Sequence, residues 1–284
     1  MQNLFWYSCL AVIGVGAAVF SIYTKRHTFR PSTLIAFYLF ATSITWLGEF
    51  VALGIFNGYA YKPGLFPDTW EENLTGHLIL NSTLWPGAAT LMVAYSLGYG
   101  WISAITAFFV FAEYLFAKLG IYCQYWWKYY MSAIIVVAFL IIARSWFVEM
   151  DRSRRGLVRA VTFFFIGLVI IHLPMPLLLL AGKQYYSMDF IVGLVGNPYR
   201  ASIMFIFTYH TIECMLLVFF VCMQKKRYFK LVPYITAFAG QTLLAKMNIL
   251  RFQGGWNLLY TILAYALTLT VFILVEKYTW RPEA

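Results

Sequence analysis

The chain has 284 residues, of which 62% are hydrophobic and only 11% are charged, and its formal net charge is +10. Soluble domains carry about 25% charged residues, so this composition excludes an ordinary soluble protein and predicts a polytopic membrane protein. The basic residues fall in short clusters between apolar blocks. That pattern indicates contact with anionic lipid headgroups and argues against nucleic acid as a partner.

Apolar blocks recur along the whole chain. A transmembrane helix needs about 20 mainly apolar residues, which gives about nine spans here. The predicted spans are residues 4–23, 33–57, 77–98, 101–120, 130–148, 157–181, 200–222, 231–249 and 257–276. The predicted fold class is therefore an all-α integral membrane protein. The start of the chain lacks the basic region of a secretory signal, so we expect the first segment to be retained as a span.

The distribution of lysine and arginine predicts an orientation. Cytoplasmic loops of membrane proteins are enriched in these residues. If the N-terminus lies outside and the C-terminus in the cytoplasm, most basic residues fall on the cytoplasmic side. They are Lys25, Arg26, Arg30, Arg152, Arg154, Arg155, Arg159, Lys225, Lys226, Arg227, Lys230, Lys277 and Arg281.

An internal repeat organises the sequence. Residues 105–127 read ITAFFVFAEYLFAKLGIYCQYWW, and residues 235–256 read ITAFAGQTLLAKMNILRFQGGW. A fixed-offset repeat of this kind indicates a duplicated structural unit. Each unit would contain four spans, so the two would share one orientation as parallel repeats. Transporters built on parallel repeats bind their substrates between the repeats. The alternative is that duplication only enlarged the bundle.

This organisation predicts three segments. Residues 1–30 form the first span and a basic loop, residues 31–155 form the first four-span unit, and residues 156–284 form the second unit with a short tail. Two longer connections fall at matching points, residues 57–76 and residues 182–200. The first is expected to be an ordered loop. Within the second, the short apolar stretch 190–195 is expected to lie in the membrane interface or to dip inward.

Five ionisable residues lie inside the predicted spans, where an unpartnered charge is costly and marks a candidate functional site. At a helical rise of about 1.5 Å per residue, each lies roughly 10 to 20 Å from the outer end of its span. This common depth predicts a shared polar chamber that opens outward. The five residues are Glu49, Glu113, His172, His210 and Glu213.

His210 and Glu213 lie three residues apart in TYHTIEC and so share a helix face. With His172 on the preceding span they would complete a two-His-one-carboxylate metal set. The order His-x-x-Glu differs from the Glu-x-x-His of di-iron bundles, and no second pair exists. We therefore predict a hydrogen-bonded His–Glu pair or a proton relay, with no metal and no cofactor. Nearby, Pro174 and Pro176 are expected to open the helix beside His172.

The two units differ at one charged position. Aligned through Lys118 and Lys246, Glu113 of the first unit matches Gln241 of the second. The repeat does not require this carboxylate, which is expected of a site specialised in one copy, although drift gives the same pattern. The two lysines lie near the outer ends of their spans. They would either extend to headgroup phosphates or hold an anionic lipid head in the chamber.

A family resemblance covers residues 30–147. The features that carry it are Tyr59, Tyr61, Lys62, Pro63, Pro86, Glu113, Lys118, Tyr122, Trp126, Trp127 and Arg144. In this order they resemble an uncharacterised family of small multipass membrane proteins from Bacillus and related spore formers. The resemblance implies a bacterial inner membrane, and it implies no activity. The second unit of the present chain is a departure from that pattern.

A likeness at the level of fold connects the chain to membrane lycopene cyclases, which also use tandem parallel helical units with carboxylates facing an isoprenoid. The nearest stretch is Thr211-Ile212-Glu213, without their Pro-x-Glu-Glu motif. Such an analogy concerns architecture alone.

These observations together predict a protein that binds or transforms a lipid-like or isoprenoid substrate in a polar chamber, with membrane lipids as its partners. Glu113 and Glu213 would act as acid or base together with His210, and the predicted substrate-binding residues are Glu49, His172, Lys118 and Lys246. The alternatives are a secondary transporter of a small solute or ion, and a non-catalytic membrane partner protein.

Overall fold

The computed structural model describes residues 2–153, 155–224 and 226–280. Arg154, Lys225 and Arg281, which entered the orientation argument, lie outside the described residues. The chain divides into two compact units, Met1–Ser153 (unit 1) and Arg154–Ala284 (unit 2). The first helix, which we assigned to a segment ahead of the first four-span unit, packs within unit 1 against its third helix.

Unit 1 contains five helices and one pair of short strands. The second helix passes directly into a π-helical turn, Phe50–Ile55. The elements in chain order are α1 (Gln2–Thr24), α2 (Pro31–Glu49), β1 (Tyr59–Tyr61), α3 (Thr69–Ala94), α4 (Tyr99–Lys118), β2 (Tyr122–Gln124) and α5 (Tyr129–Arg152).

Unit 2 runs through a similar order of elements. A π-helical turn, Phe219–Met223, follows its long central helix, and a 3-10 turn, Arg227–Leu231, comes next. The elements are α6 (Gly156–His172), α7 (Pro174–Leu180), β3 (Gln184–Tyr186), α8 (Asp189–Val195), α9 (Pro198–Val218), α10 (Val232–Lys246), β4 (Leu250–Phe252) and α11 (Leu258–Tyr278).

Seven helices in the described part of the chain are long and apolar enough to cross a bilayer, so the protein is a multi-pass membrane protein. Two of the predicted spans are not among the seven. The one at 231–249 falls on α10, which has only 15 residues. The one at 77–98 falls on α3, which has 26 residues but begins with several acidic and amide side chains. The count of nine spans stays a prediction.

Two small antiparallel sheets are the main feature that the all-α expectation missed. β1 pairs with β2, and Tyr59, Ala60 and Tyr61 face Gln124, Cys123 and Tyr122. β3 pairs with β4 over the same length, from Gln184 opposite Phe252 to Tyr186 opposite Leu250. In unit 1 the sheet ties the α2–α3 connection to the α4–α5 connection. We call this end of unit 1, which carries β1 and β2, its strand end.

Helix α1 packs closely on α3. A Cβ added at Gly87 would overlap the backbone of Gly14, and one at Gly14 would overlap the backbone of α3. Small residues at a crossing allow this close approach of two helix backbones. Pro86 does not break α3, and its missing N–H leaves the Ser82 carbonyl free to accept a hydrogen bond from the Tyr38 hydroxyl of α2.

The prolines after His172 do break the helix, as expected. α6 ends at His172 and α7 begins at Pro174. The apolar stretch at 190–195 forms the short helix α8, none of whose residues is buried, and Phe190 and Leu194 are largely exposed. Placement of α8 in the membrane interface stays a prediction.

The same local features occur within each of the two units. Lys118 is the last residue of α4 and Lys246 the last of α10. Both helices are followed by a left-handed residue, Gly120 with φ 73° and Asn248 with φ 56°. Such a residue ends a helix by turning the chain back on its last carbonyls. The repeated segment therefore terminates a helix and starts a strand in each unit.

Each strand is also held in the same way. The Tyr61 amide donates to Asn73 Oδ1 on α3 (2.8 Å), and the Tyr186 amide donates to Ser202 Oγ on α9 (2.9 Å). The indole of each repeated tryptophan donates to a hydroxyl at the start of the next helix. These bonds are Trp127 Nε1 to Ser132 Oγ (2.7 Å) and Trp256 Nε1 to Thr261 Oγ1 (3.0 Å).

Candidate functional site

Unit 1 encloses a cavity of about 640 Å³ between α2, α3, α4 and α5. This volume is typical of small-molecule sites, which span roughly 300 to 1,000 Å³. The wall is mainly aliphatic and aromatic. Its apolar members include Leu10, Ile44, Leu47, Val51, Leu80, Leu84, Trp85, Phe109, Phe116, Ile135, Val136, Phe139 and Ile142. Polar side chains are concentrated at the strand end.

Three tyrosines from the two strands form the wall at the strand end. The ring centroids of Tyr59, Tyr61 and Tyr122 lie 5.3 to 5.6 Å apart. Burial raises the pKa of all three hydroxyls well above their ordinary value. The three side chains therefore remain neutral phenols and act as hydrogen-bond donors at the cavity.

Glu49, the last residue of α2, lines the cavity at this end. Its Oε2 accepts from the Tyr59 hydroxyl (2.9 Å) and from Asn81 Nδ2 on α3 (3.1 Å). Its Oε1 is buried and makes no hydrogen bond with any described residue, although the Tyr61 hydroxyl lies beside the same carboxyl group. An acceptor buried in this way is costly and can take a further donor.

Glu113 on α4 provides a second carboxyl group on the same cavity. Its Oε1 accepts from Gln124 Nε2 on β2 (2.8 Å), and the Tyr122 hydroxyl lies next to it. The sheet thus positions side chains against both carboxyl groups, Tyr59 on Glu49 and Gln124 on Glu113. Because the two residues come from α2 and α4, their approach depends on the tertiary fold of unit 1.

The cavity opens sideways between α2 and α5. Lining residues on both sides remain about half exposed, namely Leu47 on α2, Val51 in the π-helical turn that follows α2, and Ile135 and Ile142 on α5. Both helices belong to the set that is apolar enough to cross a bilayer, so this opening lies on an apolar helix surface. From Ser132 to Ile142 the cavity follows α5 for about 15 Å at the helical rise.

Unit 2 has a different buried polar cluster. His172 Nδ1 and His210 Nδ1 lie 3.1 Å apart, and His210 Nε2 lies 2.6 Å from the Tyr265 hydroxyl on α11. One imidazole must donate and the other must accept, so the tautomers of the two rings are linked. This arrangement suits proton transfer along the three side chains.

The predicted hydrogen bond between His210 and Glu213 is wrong. Both carboxyl oxygens of Glu213 are buried and make no hydrogen bond with a described residue, and the Tyr209 hydroxyl is the adjacent polar group. Spacing along α9 places His210 and Glu213 on one side of the helix, yet His210 turns to His172 and Tyr265. Hydrogen bonds to residues on other helices therefore set the orientation of the His210 ring.

A metal set of two histidines and one carboxylate is not formed either. Within the described ranges, no three His, Cys, Asp or Glu side chains come together closely enough to hold a metal ion. His172 and His210 do meet, as their similar depth suggested, but Glu213 does not join them.

The structure thus divides the predicted site residues between the two units. Glu49 and Glu113 meet at the cavity of unit 1, whereas His172, His210 and Glu213 belong to unit 2. Lys118 and Lys246 are exposed at the ends of their helices and do not line the cavity. The Nζ of Lys118 lies 5.6 Å from the ring centroid of Tyr114. This placement favours the headgroup-contact interpretation of the lysines.

Several residues of the cavity were missed as site residues. Tyr59, Tyr61 and Tyr122 entered the sequence argument only through the family resemblance, and Asn81 did not enter it as a site residue. The two-residue spacing of Tyr59 and Tyr61 places both rings on one face of a strand, but three residues are too few to identify that strand from the sequence. The paired strand that brings Tyr122 to them could not be seen in so short a segment.

No protein-family model, no curated protein and no solved structure matches this chain, so its function has to be argued from the cavity itself.

Proposed function

We propose that unit 1 binds a lipid-like molecule, an acyl or isoprenoid chain with a small polar end. The observation that carries the proposal is the shape and chemistry of the cavity. It is apolar along α5, it opens sideways on an apolar helix surface, and it ends at Glu49 and Glu113. The chain would enter from the bilayer, and its polar end would stop at the two carboxyl groups.

The polar end is expected to provide most of the selectivity. A lipid tail in a bilayer is already in an apolar medium, so moving it into the cavity gains little hydrophobic free energy. Shape fit and hydrogen bonds must therefore distinguish the ligand from bulk lipid. The available groups are the Glu49 carboxyl, with its unpartnered Oε1, and the Glu113 carboxyl beside the Tyr122 hydroxyl.

If the bound molecule is also transformed, Glu113 or Glu49 would act as the acid or base, because these are the carboxyl groups that line the cavity. His210 and Glu213 do not line it. Proton transfer through His172, His210 and Tyr265 would be a separate property of unit 2.

The proposal includes the architecture and its placement. The two units would be parallel four-span repeats, with α3 and α10 completing nine spans and α1 added at the start. The support is their similar order of elements, their matched strand and tryptophan contacts, and the lysine that ends α4 and α10. With the N-terminus outside a cell membrane, the strand end and the two carboxyl groups would lie in the outer half of the bilayer.

The repeat provides a specific test. Val136 lines the cavity and follows Trp127 at the same spacing as Tyr265 follows Trp256. Val136→Tyr would introduce into unit 1 the side chain that unit 2 carries at the matching position, and this would place a phenol ring inside the cavity, in the path that a bound chain would take along α5. Ile134→Tyr is the matched control, because Ile134 is exposed on the same helix and does not line the cavity.

The measurement is native mass spectrometry of the three proteins purified from the same membranes. We expect a lipid-like adduct on the wild type and on Ile134→Tyr, and its loss from Val136→Tyr. An adduct of equal abundance on all three proteins, or on none, would overturn the proposal.

A further inference from the structure

We propose that the polar end of this cavity recognises an ammonium group, so that the ligand is a long-chain amine or another amphiphile with a cationic nitrogen. The inference rests on the proposed function and specifies its ligand class. It departs from the sequence-based expectation that Lys118 and Lys246 hold an anionic head.

The charged groups that line the cavity favour a cationic head. The described residues that line the cavity include Glu49 and Glu113 and no lysine or arginine. Two carboxyl groups in a medium of low dielectric constant repel an anionic head and attract a cationic one. Lys118 and Lys246 are exposed outside the cavity and cannot reverse this balance.

The aromatic rings at the strand end of the cavity also favour a cation. Five rings line the strand end of the cavity, those of Tyr59, Tyr61, Tyr122, Trp126 and Trp127. Aromatic faces attract ammonium groups, and several rings beside carboxylates form the usual surroundings of a bound ammonium.

The donors on these rings are largely engaged elsewhere. The Trp127 indole N–H donates to Ser132 Oγ, the Trp126 indole N–H to the Phe56 carbonyl, and the Tyr59 hydroxyl to Glu49. An anionic head would therefore find few free donors here. A cation needs only the faces of the rings.

The Oε1 of Glu49 is an acceptor that an ammonium N–H could satisfy. Glu49 is only 9% exposed, and its Oε1 makes no hydrogen bond with a described residue. A buried carboxylate that lacks a counter-ion and has one oxygen without a donor is unfavourable, and an ammonium would supply both the charge and the donor. A hydroxyl would supply a donor alone, and a neutral alcohol is therefore the competing ligand in the test.

The experiment uses the whole protein in nanodiscs of zwitterionic lipid with a neutral pyrene-labelled alkane as the reporter of cavity occupancy. Dodecylamine, dodecanol and dodecanoate share one chain length and differ in the head. We expect dodecylamine, as its ammonium, to displace the reporter at a concentration about tenfold or more below that of dodecanol, with dodecanoate weakest. Empty nanodiscs correct for partition into the lipid.

Three Glu→Gln variants test the assignment. Glu49→Gln and Glu113→Gln should each reduce the preference for dodecylamine over dodecanol by about tenfold. Glu149→Gln removes an exposed carboxylate of unit 1 that does not line the cavity, and it should leave the preference unchanged. Thermal unfolding checks that the variants fold. If Glu49→Gln does not fold, Glu113→Gln decides the test, since Gln241 occupies the matching position in unit 2.

Failure of this inference and failure of the proposed function would give different results. Equal reporter binding to the wild type and to Val136→Tyr would overturn lipid binding in the cavity. Selective reporter binding with no preference for dodecylamine over dodecanol, or with dodecanoate strongest, would overturn the ammonium proposal alone.

Discussion

The hydrogen bond from Tyr59 to Glu49 is the link between the sheet and the cavity, and Tyr59→Phe removes only its donor. The bond is 2.9 Å long and buried, and Glu49 has one other hydrogen-bonded partner, Asn81. A hydrogen bond to a charged group contributes about 1.5 to 3 kcal/mol and one between neutral groups about 0.5 to 1.5 kcal/mol. We therefore expect Tyr59→Phe to lower the free energy of unfolding by about 1.5 to 3 kcal/mol.

A double-mutant cycle separates this bond from the packing of the ring. In a Glu49→Gln background, Tyr59→Phe should cost only about 0.5 to 1.5 kcal/mol, which gives a coupling energy of about 1 to 1.5 kcal/mol. The assay is reversible unfolding in detergent mixtures. Tyr125→Phe is the matched control, because Tyr125 is exposed. A cost for Tyr59→Phe no larger than that control, or additivity with Glu49→Gln, would refute the argument.

Three further substitutions test the frame around the site. Gly87→Val should overlap α1 and destabilise the protein by about 1 to 3 kcal/mol in thermal unfolding, and a neutral result would contradict the close crossing. Glu72→Ala removes the carboxylate that accepts from the amides of residues 64 to 66, so amide exchange in that loop should accelerate; unchanged protection would contradict this role. Glu276→Gln should destabilise unit 2 by about 1.5 to 3 kcal/mol, because it removes the charge that pairs with the half-buried Arg159 (2.8 Å) and the more exposed Lys230 (3.2 Å); a loss no larger than that of an exposed pair would contradict it.

The parts of the fold that depend on composition over a long window could be predicted from the sequence. Seven predicted spans coincide with helices long and apolar enough to cross a bilayer, because about 20 apolar residues in a row are a signal that local packing cannot hide. The break beside His172 was also predictable, since Pro174 removes a helix donor whatever surrounds it. These are properties of short or continuous stretches of chain.

Contacts between distant stretches could not be predicted. The strands have three residues each, which is below the length at which alternation identifies a strand, and each pairs with a segment about 60 residues away. The common depth of the five ionisable residues predicted one shared chamber, whereas Glu49 and Glu113 line a cavity of unit 1 and His172 and His210 contact each other in unit 2. Depth carries no information on rotation about each helix, and the three-residue spacing that placed Glu213 with His210 carries none on the partners that other helices offer.

The matched positions of the two proposed repeats carry different side chains in the cavity of unit 1 and in the polar cluster of unit 2. In unit 2, Tyr265 takes the place of Val136, and its hydroxyl contacts His210. In unit 2 His172 of α6 bonds to His210 of α9, and in unit 1 Glu49 of α2 bonds to Asn81 of α3. The Tyr186 hydroxyl donates to Gln241 Oε1 (2.9 Å), so that position is also engaged within the unit.

Under the proposed repeat, unit 2 carries hydrogen-bonded side chains at positions that line the cavity in unit 1. Lys118 and Trp127 have counterparts with equivalent positions or contacts in unit 2, which assigns them to the frame. Glu49 and Glu113 have no carboxylate counterpart, and in unit 1 the bulk of Tyr265 is missing beside them. Glu49 and Glu113 are carboxyl groups that the proposed repeat does not require, and they lie beside space that the side chains of unit 1 do not fill. Such a combination is expected where a ligand completes the site, and Val136→Tyr tests whether that space is needed.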